Sequence, residues 1–548
     1  MINFLVEISK KFEIIIYPTP SNKYTKNYNI YELDIRKPNY NTYWTDCGGT
    51  YDNFEGEDIE IYYTKFLQKL TESEVLNTPF SMFIDDGKVF MNLPMHPWLY
   101  PNFTAESRTV IPFLSSALNP DNPSNNILNN TPSLTKLEIP SVSIKLSDSF
   151  NGISLNQGFS ISLSNNDGYF DDENEWNLFN TPLNLKKSIA DVSEYKDFKD
   201  IRSGFVESTI TSLDKFQISV SDKIRSMNEP VCNVLSNSLY PDIKIDNNVI
   251  GKNIPVVYGD RKVNLLKLND RQYLAAEKIT SVHSIFDKDN TIVNGYSFDA
   301  RNGIITFEDS SIDAKSAIIT GYTNNTIGEI IVDIIARKTK IPYGITNWNE
   351  GEITKYINIS PRISIELNSG DVKKAITEIL KSDMAYFIQQ LDGKFTIRKY
   401  GEIYNTHTIQ NWTLTKKPEK DYGKAQENYF SSCIINYDFI DKDTFKSYLY
   451  NDRENEAEDL YRKKLVLTFD TYLSNQTDAI DLAILLGKRY INLKQIIKLS
   501  VGIDTSNMNL LDTVIIDMKV NDRVLSNSTN YIITEINPSQ DTLTLEEI

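Results

Sequence analysis

Histidine is almost missing from this 548-residue chain: His96, His283 and His407 are all it has. They lie far apart, with no H-E-x-x-H pattern and no Cys/His cluster, which excludes a zinc site recognisable from sequence. His96, in Met95-His-Pro-Trp98, reads as part of a packing turn rather than a catalytic base. Cysteine is as scarce. Cys47, Cys232 and Cys433 are odd in number and scattered, so they read as buried inert thiols and not as a disulfide framework. No G-x-S-x-G elbow and no Walker-type loop occurs, and Gly251-Lys252 lacks the preceding glycine at P-loop spacing. Serine hydrolase and ATPase chemistry therefore have no residues to stand on. No apolar run approaches the roughly 18 residues of a membrane-spanning helix. The opening Met1-Ile-Asn-Phe-Leu-Val-Glu7 is interrupted by Glu7 and is unlike a signal peptide, so the chain is expected to be made in a cytoplasm. Positive charge is in deficit. The 57 Lys and Arg against 74 Asp and Glu leave a net charge of −17, which disfavours non-specific binding to DNA or anionic lipid.

What is abundant points to β-structure. The chain has 31 Tyr and 25 Phe, which suit strands and protein interfaces. Its 40% hydrophobic and 24% charged residues are ordinary for a folded protein. The length exceeds the roughly 250–300 residues of a single core, so several domains are expected. Residues 1–135 are aromatic-rich and mostly β, with a hairpin of Met82-Phe-Ile84 and Val89-Phe-Met91 around Asp85-Asp-Gly87. Residues 136–230 alternate at Val142, Ile144 and Leu146, then at Phe159, Ile161 and Leu163, and read as a first barrel-like domain. Residues 231–325 are β-rich, with Asn302-Gly303 a hairpin turn. Residues 326–425 form an α+β region and 426–548 a C-terminal α+β or barrel-like region. Helical spacing predicts helices over 327–338, 371–382 and 478–490. For the last, Thr477 is the expected N-cap, with Ile480, Ala483, Ile484, Gly487 and Tyr490 on one face. The fold class is thus α+β, mainly β: several small barrel- or sandwich-like domains with a few amphipathic helices.

The stretch Phe159-Ser-Ile-Ser-Leu-Ser164 alternates apolar and polar and predicts a half-buried strand. Asn165-Asn-Asp-Gly168 then supplies turn residues, and Tyr169-Phe170 resumes the apolar run. The carboxylates Asp167, Asp171, Asp172 and Glu173 raise a calcium loop as a reading, since hard cations take clustered oxygens. Setting Gly168 on the invariant loop glycine puts Leu163 and Asn174 at the first and last ligand positions, where both fail. A turn with a solvated acidic rim is the better reading. The acidic run Asp452–Asp459 reads as an exposed connection. Further along, Gly251-Lys-Asn-Ile-Pro-Val-Val-Tyr-Gly-Asp260 reads as a strand between two turns.

Four features in this order resemble phage tail hub and tail-tip proteins. They are the strand with an N-x-D-G-x-F-D turn at 159–171, the GK-x-IP-x-x-YG segment at 251–259, a helix followed by a D-G-x-F-x-I-R hairpin at 392–398, and a C-terminal helix with closing strands. In the last, Leu511-Asp512 stands where the family pattern has Gly-Asp. The resemblance covers about residues 140–548. It implies a structural component of a phage-like tail: a baseplate hub joining the tail tube to the central spike or tip of a phage, gene transfer agent or related injection particle. Such hubs are commonly homotrimers. The partners it implies are the tail tube, distal tail and spike or tip proteins, with no enzyme activity, cofactor, metal, sequence-specific nucleic acid or stable membrane insertion. Asn165, Asp167, Gly168, Tyr169, Phe170, Ile254, Pro255, Tyr258 and Gly259 are the expected places where neighbours meet. Two other classes compete, a tail-tip adhesin binding host glycan and a particle-borne cell-wall hydrolase.

Overall fold

Alternation at 159–164 produces the strand it predicts. Phe159, Ile161 and Leu163 are buried and lie opposite Val220, Ile218 and Phe216 on the neighbouring strand. Such cross-strand apolar pairs are the stabilising unit of a sheet. The computed structural model describes the backbone of residues 3–15, 29–33, 82–85, 88–93 and 104–114 and, with short interruptions, 134–548; side chains are described from 136 onward. The chain is mainly β with four helices among the described residues, as its class predicts. It divides into two units: Met1–Glu138 with Gly158–Ser221, and Ile139–Gln157 with Asp222–Ile548.

The first unit is built on a seven-stranded antiparallel sheet. Its order is Thr104–Leu114, Asn3–Ile15, Pro182–Ser188, Lys199–Thr211, Lys215–Ser221, Phe159–Ser164 and Leu134–Glu138. Leu183, Leu185, Ile201, Val206 and Ile218 form its buried side. Register slips beside Arg202 and Ser208 mark bulges, which bend a strand and sharpen its twist. The expected hairpin of residues 82–84 and 89–91 is present, with Ile84 opposite Val89.

In the second unit the helices are α1 (Ile327–Lys338), α2 (Glu350–Ile359), α3 (Val372–Lys381) and α4 (Gln476–Tyr490). Three of them are the helices expected from spacing. The first is closed by a capping box, in which Thr326 accepts from the Glu329 amide and Glu329 reaches back to the Thr326 amide. Two expectations about α4 need correction. The helix starts at Gln476, and the Asn475 side chain, not Thr477, accepts the Asp478 amide at 2.9 Å. Its buried face runs through Ala479, Leu482, Ala483, Leu486, Gly487 and Tyr490, so Ala483, Gly487 and Tyr490 of the expected face are buried while Ile480 and Ile484 are half-buried. The stripe is rotated because the unbroken apolar run Leu482-Ala-Ile-Leu-Leu486 fits more than one face, and packing selects among them.

α1 packs on α2 and α3, α2 and α3 pack on the hairpin of Ala385–Gln389 and Phe395–Lys399, and α4 packs on Ser432–Tyr437 and Lys446–Tyr450. A closing sheet is ordered Thr406–Gln410, Thr513–Asp517, Asn530–Asn537, Thr542–Glu547, Ile496–Ser500 and Glu419–Asp421. Val142–Ser143 pairs with Glu535–Ile536 of this sheet rather than with Phe159–Ser164. A separate core, holding Val257, Tyr273, Ile285, Ile305, Phe307 and Ile319, joins two small sheets between residues 260 and 320. Gly303 ends the tight turn there. Its φ is +67°, and a Cβ would lie 1.7 Å from the Ala276 carbonyl oxygen, so only glycine fits.

Candidate functional site

The turn after Phe159–Ser164 is held by one side chain. Asn165 is buried, and its Nδ2 donates to the Ser212 carbonyl and to Asp171 Oδ1, each at 2.9 Å. Its Oδ1 accepts the Phe170 amide at 2.8 Å. Its backbone amide donates to the Asp214 carbonyl, so two neighbouring turns are clamped together. Gly168 has φ +73°, the left-handed conformation that favours glycine. Phe170 is buried and stacks on Phe216 at 4.3 Å and 7°. Asn165, Gly168, Phe170 and Asp171 of the motif thus each have a mechanical reason, and Asp167 is exposed. Tyr169 lies outside the described residues. Asn165→Ala strands the Ser212 carbonyl and the Phe170 amide, so it is expected to cost about 1–3 kcal/mol. Asn166→Ala, at an exposed position of the same turn, is expected to stay within about 0.5 kcal/mol. Thermal unfolding of the two purified variants decides, and equal melting would refute the clamp.

In the 251–259 segment, residues 254–258 are buried and 251–253 are exposed. Ile254 is buried against Leu235 and Leu268, and the Pro255 carbonyl accepts the Glu277 amide at 2.7 Å. Val256–Tyr258 pairs with Ile365–Leu367. The Tyr258 hydroxyl donates to Asp333 Oδ2 at 2.6 Å, and Arg337 Nε donates to the same oxygen at 2.8 Å. Arg337 Nη1 reaches Glu277 at 2.9 Å and Lys338 Nζ reaches its other oxygen at 2.6 Å. The Arg337 guanidinium also lies 4.1 Å from the Tyr322 ring centroid. Burial pushes the Tyr258 hydroxyl far above its ordinary value, against the pull of Arg337, and Asp333 adds to the rise. Burial likewise pushes Tyr322 to about 12. Both phenols therefore stay neutral donors. Gly259 (φ +68°) turns the chain out of the strand and donates to the Tyr322 carbonyl at 3.1 Å. An open groove of about 430 Å³ lies beside this segment, lined by Lys252, Asn253, Pro255, Asn264, Glu366 and Asn368.

A third polar centre lies under the 392–398 hairpin. Arg398 is fully buried; Nε and Nη2 grip the two oxygens of Glu352 at 2.8 and 2.6 Å. Its Nη1 donates to Asp512 Oδ1 and to the Leu510 carbonyl, both at 2.8 Å. Asp512 also accepts from the Asn509 amide at 2.8 Å and pairs with His407 Nε2 at 3.1 Å. Burial pushes the Asp512 carboxyl up, but His407 and Arg398 outweigh it and hold the group below the usual range. Leu511, where the resemblance expects glycine, has φ +66°. That backbone costs a leucine about 1–2 kcal/mol. Its buried side chain is worth more, about 2–5 kcal/mol on truncation, so leucine is tolerated.

The arrangement closest to a nucleophile is on the surface. His283 Nε2 lies 2.8 Å from Thr320 Oγ1, 3.3 Å from Ser281 Oγ and 3.4 Å from Asp260 Oδ1. All three partners converge on one ring nitrogen, whereas a triad needs the base oriented through the other. Among the described residues no group of three or more His, Cys, Asp or Glu is placed to hold a metal ion, and no helix is long and apolar enough to cross a membrane. Cys232 and Cys433 are buried, and burial pushes their thiols to about 11 and about 12. Cys47 and His96 lie outside the described residues.

The expected contact residues thus fall into two groups, 165–170 in the first unit and 254–259 in the second. Sequence reasoning places Arg398 in its hairpin motif and passes over Glu277, Asp333, Arg337 and Glu352. The one local sign is the i,i+4 spacing of Asp333 and Arg337.

No protein-family model matches the chain, and no curated protein matches its sequence. Among solved structures, it is similar to a chain from the virion of a native gene transfer agent particle, with 10% identity and a TM-score of 0.36 over 54% of this chain and 84% of that one. A tail protein from Neisseria meningitidis MC58 is 9% identical, with a TM-score of 0.34 over 74% of this chain and 90% of that one. The 43 kDa tail protein of prophage MuSo2 from Shewanella oneidensis is 10% identical, with a TM-score of 0.34 over 76% and 92%. At these values the likeness is loose, and no residue role is taken from it.

Proposed function

We propose that this chain is a structural, non-enzymatic component of a phage-like tail, a homotrimeric baseplate hub between the tail tube and the central spike or tip. The observation that carries the reading is the order of the motifs at 159–171, 251–259, 392–398 and 511–545. In each of the first three, the fixed residues build framework: Asn165 clamps two turns, Tyr258 enters an ion-pair knot, and Arg398 ties a hairpin to the closing sheet. A ring of such subunits covers open strand edges by contacts that close on themselves. Within the second unit, the regions 231–325, 326–425 and 426–548 are proposed as subdomains of the hub.

Imaging of particles carrying a labelled chain tests the role. Three copies on the tail's central axis are expected. Peripheral label, with the isolated protein binding host cells, would favour the adhesin. Clearing of purified cell wall in a zymogram, abolished by one point substitution, would favour the hydrolase. A monomer present singly in the particle would remove the trimer and leave the tail role standing.

A further inference from the structure

At one end of the first unit a hairpin outruns its neighbour. Lys199–Thr211 pairs with Pro182–Ser188 only as far as Phe205, and the Asn180 amide closes that side at the Val206 carbonyl. Across the hairpin, Lys215–Ser221 stays paired with Phe159–Ser164 all the way to Lys215. No described strand lies along the other side of Ser208–Thr211. The Ser212 amide donates to the Lys215 carbonyl, which sets the phase of the ladder, so Thr209 and Thr211 direct their backbone groups outward. Ile210 beside them is 60% exposed, and Leu213 at the tip is 91% exposed. The tip is nevertheless firmly placed, because Asn165 bonds both the Ser212 and Asp214 carbonyls. Exposed Asp171, bonded to Asn165, and exposed Asp214, bonded to Ser212, lie at this tip beside Lys215.

We propose that this hairpin edge receives an extended, basic segment of another tail protein as an added strand. The edge that no described strand covers supplies main-chain bonds, Ile210 and Leu213 supply apolar contact, and Asp171 and Asp214 select lysine or arginine flanks. A second copy fits poorly. In a two-fold contact Asp171 and Asp214 would meet their own equivalents, on a chain already carrying −17. The inference rests on the proposed tail role and deepens it by naming where and how a partner attaches.

The test places the photo-crosslinker p-benzoylphenylalanine at Leu213 of the full chain in assembled particles, with Ile292, also 60% exposed, as the control position. The expected product links position 213 to a different tail protein, within a few residues of two or more Lys or Arg. The double variant Ile210→Asp, Leu213→Asp is expected to enter particles about tenfold less while melting like the parent. Links to a second copy, links to an acidic segment, no link at 213, or normal incorporation of the double variant would each overturn the proposal with the tail role intact. A chain absent from particles would sink the tail role and this inference together.

Discussion

Arg398→Met is expected to destabilise the second unit by about 3–5 kcal/mol, the cost of removing one partner from a buried ion pair. The reason lies in what remains. Asp512 is fully buried, and without Arg398 its charge keeps only His407 and amide donors. Glu352 loses both guanidinium bonds at once. Methionine fills most of the space, so the loss reads the charge and not a cavity. Combining Arg398→Met with Asp512→Asn and Glu352→Gln is expected to return about half of the loss, because the uncompensated charges go with it. Urea unfolding followed by tryptophan emission checks this, since buried Trp348 packs against Phe395 in the same hairpin. A single variant that unfolds with the parent would mean that this centre is not structural.

That centre also marks the limit of what the sequence discloses. α1 is legible because Ile327, Ile330, Ile331, Ile334 and Ile335 repeat at helical spacing and all are buried. α2 escapes the same reading, since only Ile353 and Tyr356 of its ten residues are buried and its start depends on the Asn349 cap. The hairpin of 385–389 and 395–399 is legible from its Asp-Gly turn. The partners of its arginine are not, for Arg398 meets Asp512 across 114 residues and Glu352 across 46. Local pattern carries no information on such pairs. The 251–259 motif shows the same division: its strand and turns follow from residue type, whereas the inward aim of Tyr258 depends on Asp333 and Arg337 of a later helix. Turn chemistry is the most legible part of the first unit, with Gly168 in the left-handed region that its motif requires. The pairing of Val142–Ser143 into the distant closing sheet has no sequence signal, because alternation specifies a strand and not its neighbour.

Asp383→Asn is expected to stabilise the second unit by up to about 3 kcal/mol at pH 7.5 and to do nothing at pH 4. Asp383 is buried just past the end of α3, where Lys399 Nζ donates to Oδ1 at 2.6 Å and the Tyr356 hydroxyl to Oδ2 at 3.0 Å. Burial raises its carboxyl from 3.8 to about 6, outweighing the pull of Lys399 and Tyr356, and Asp478 on α4 adds to the rise. A raised carboxyl means that the folded chain holds more protons than the unfolded chain between about pH 4 and 6. Stability therefore falls as pH rises through that window, and the full penalty is present above it. The rise from 3.8 to about 6 corresponds to about 3 kcal/mol. Asparagine is the shape of the protonated acid and keeps an acceptor for Tyr356, so parent and variant converge where Asp383 is protonated. Lys399, partly exposed, turns to solvent. Taking the difference between the two proteins cancels every other carboxylate, including Asp512, whose lowered value acts in the opposite sense at lower pH. Urea midpoints at pH 4, 5, 6 and 7.5 read the difference directly. A variant less stable than the parent at pH 7.5 would show that the Lys399 pair outweighs the cost of burying the charge.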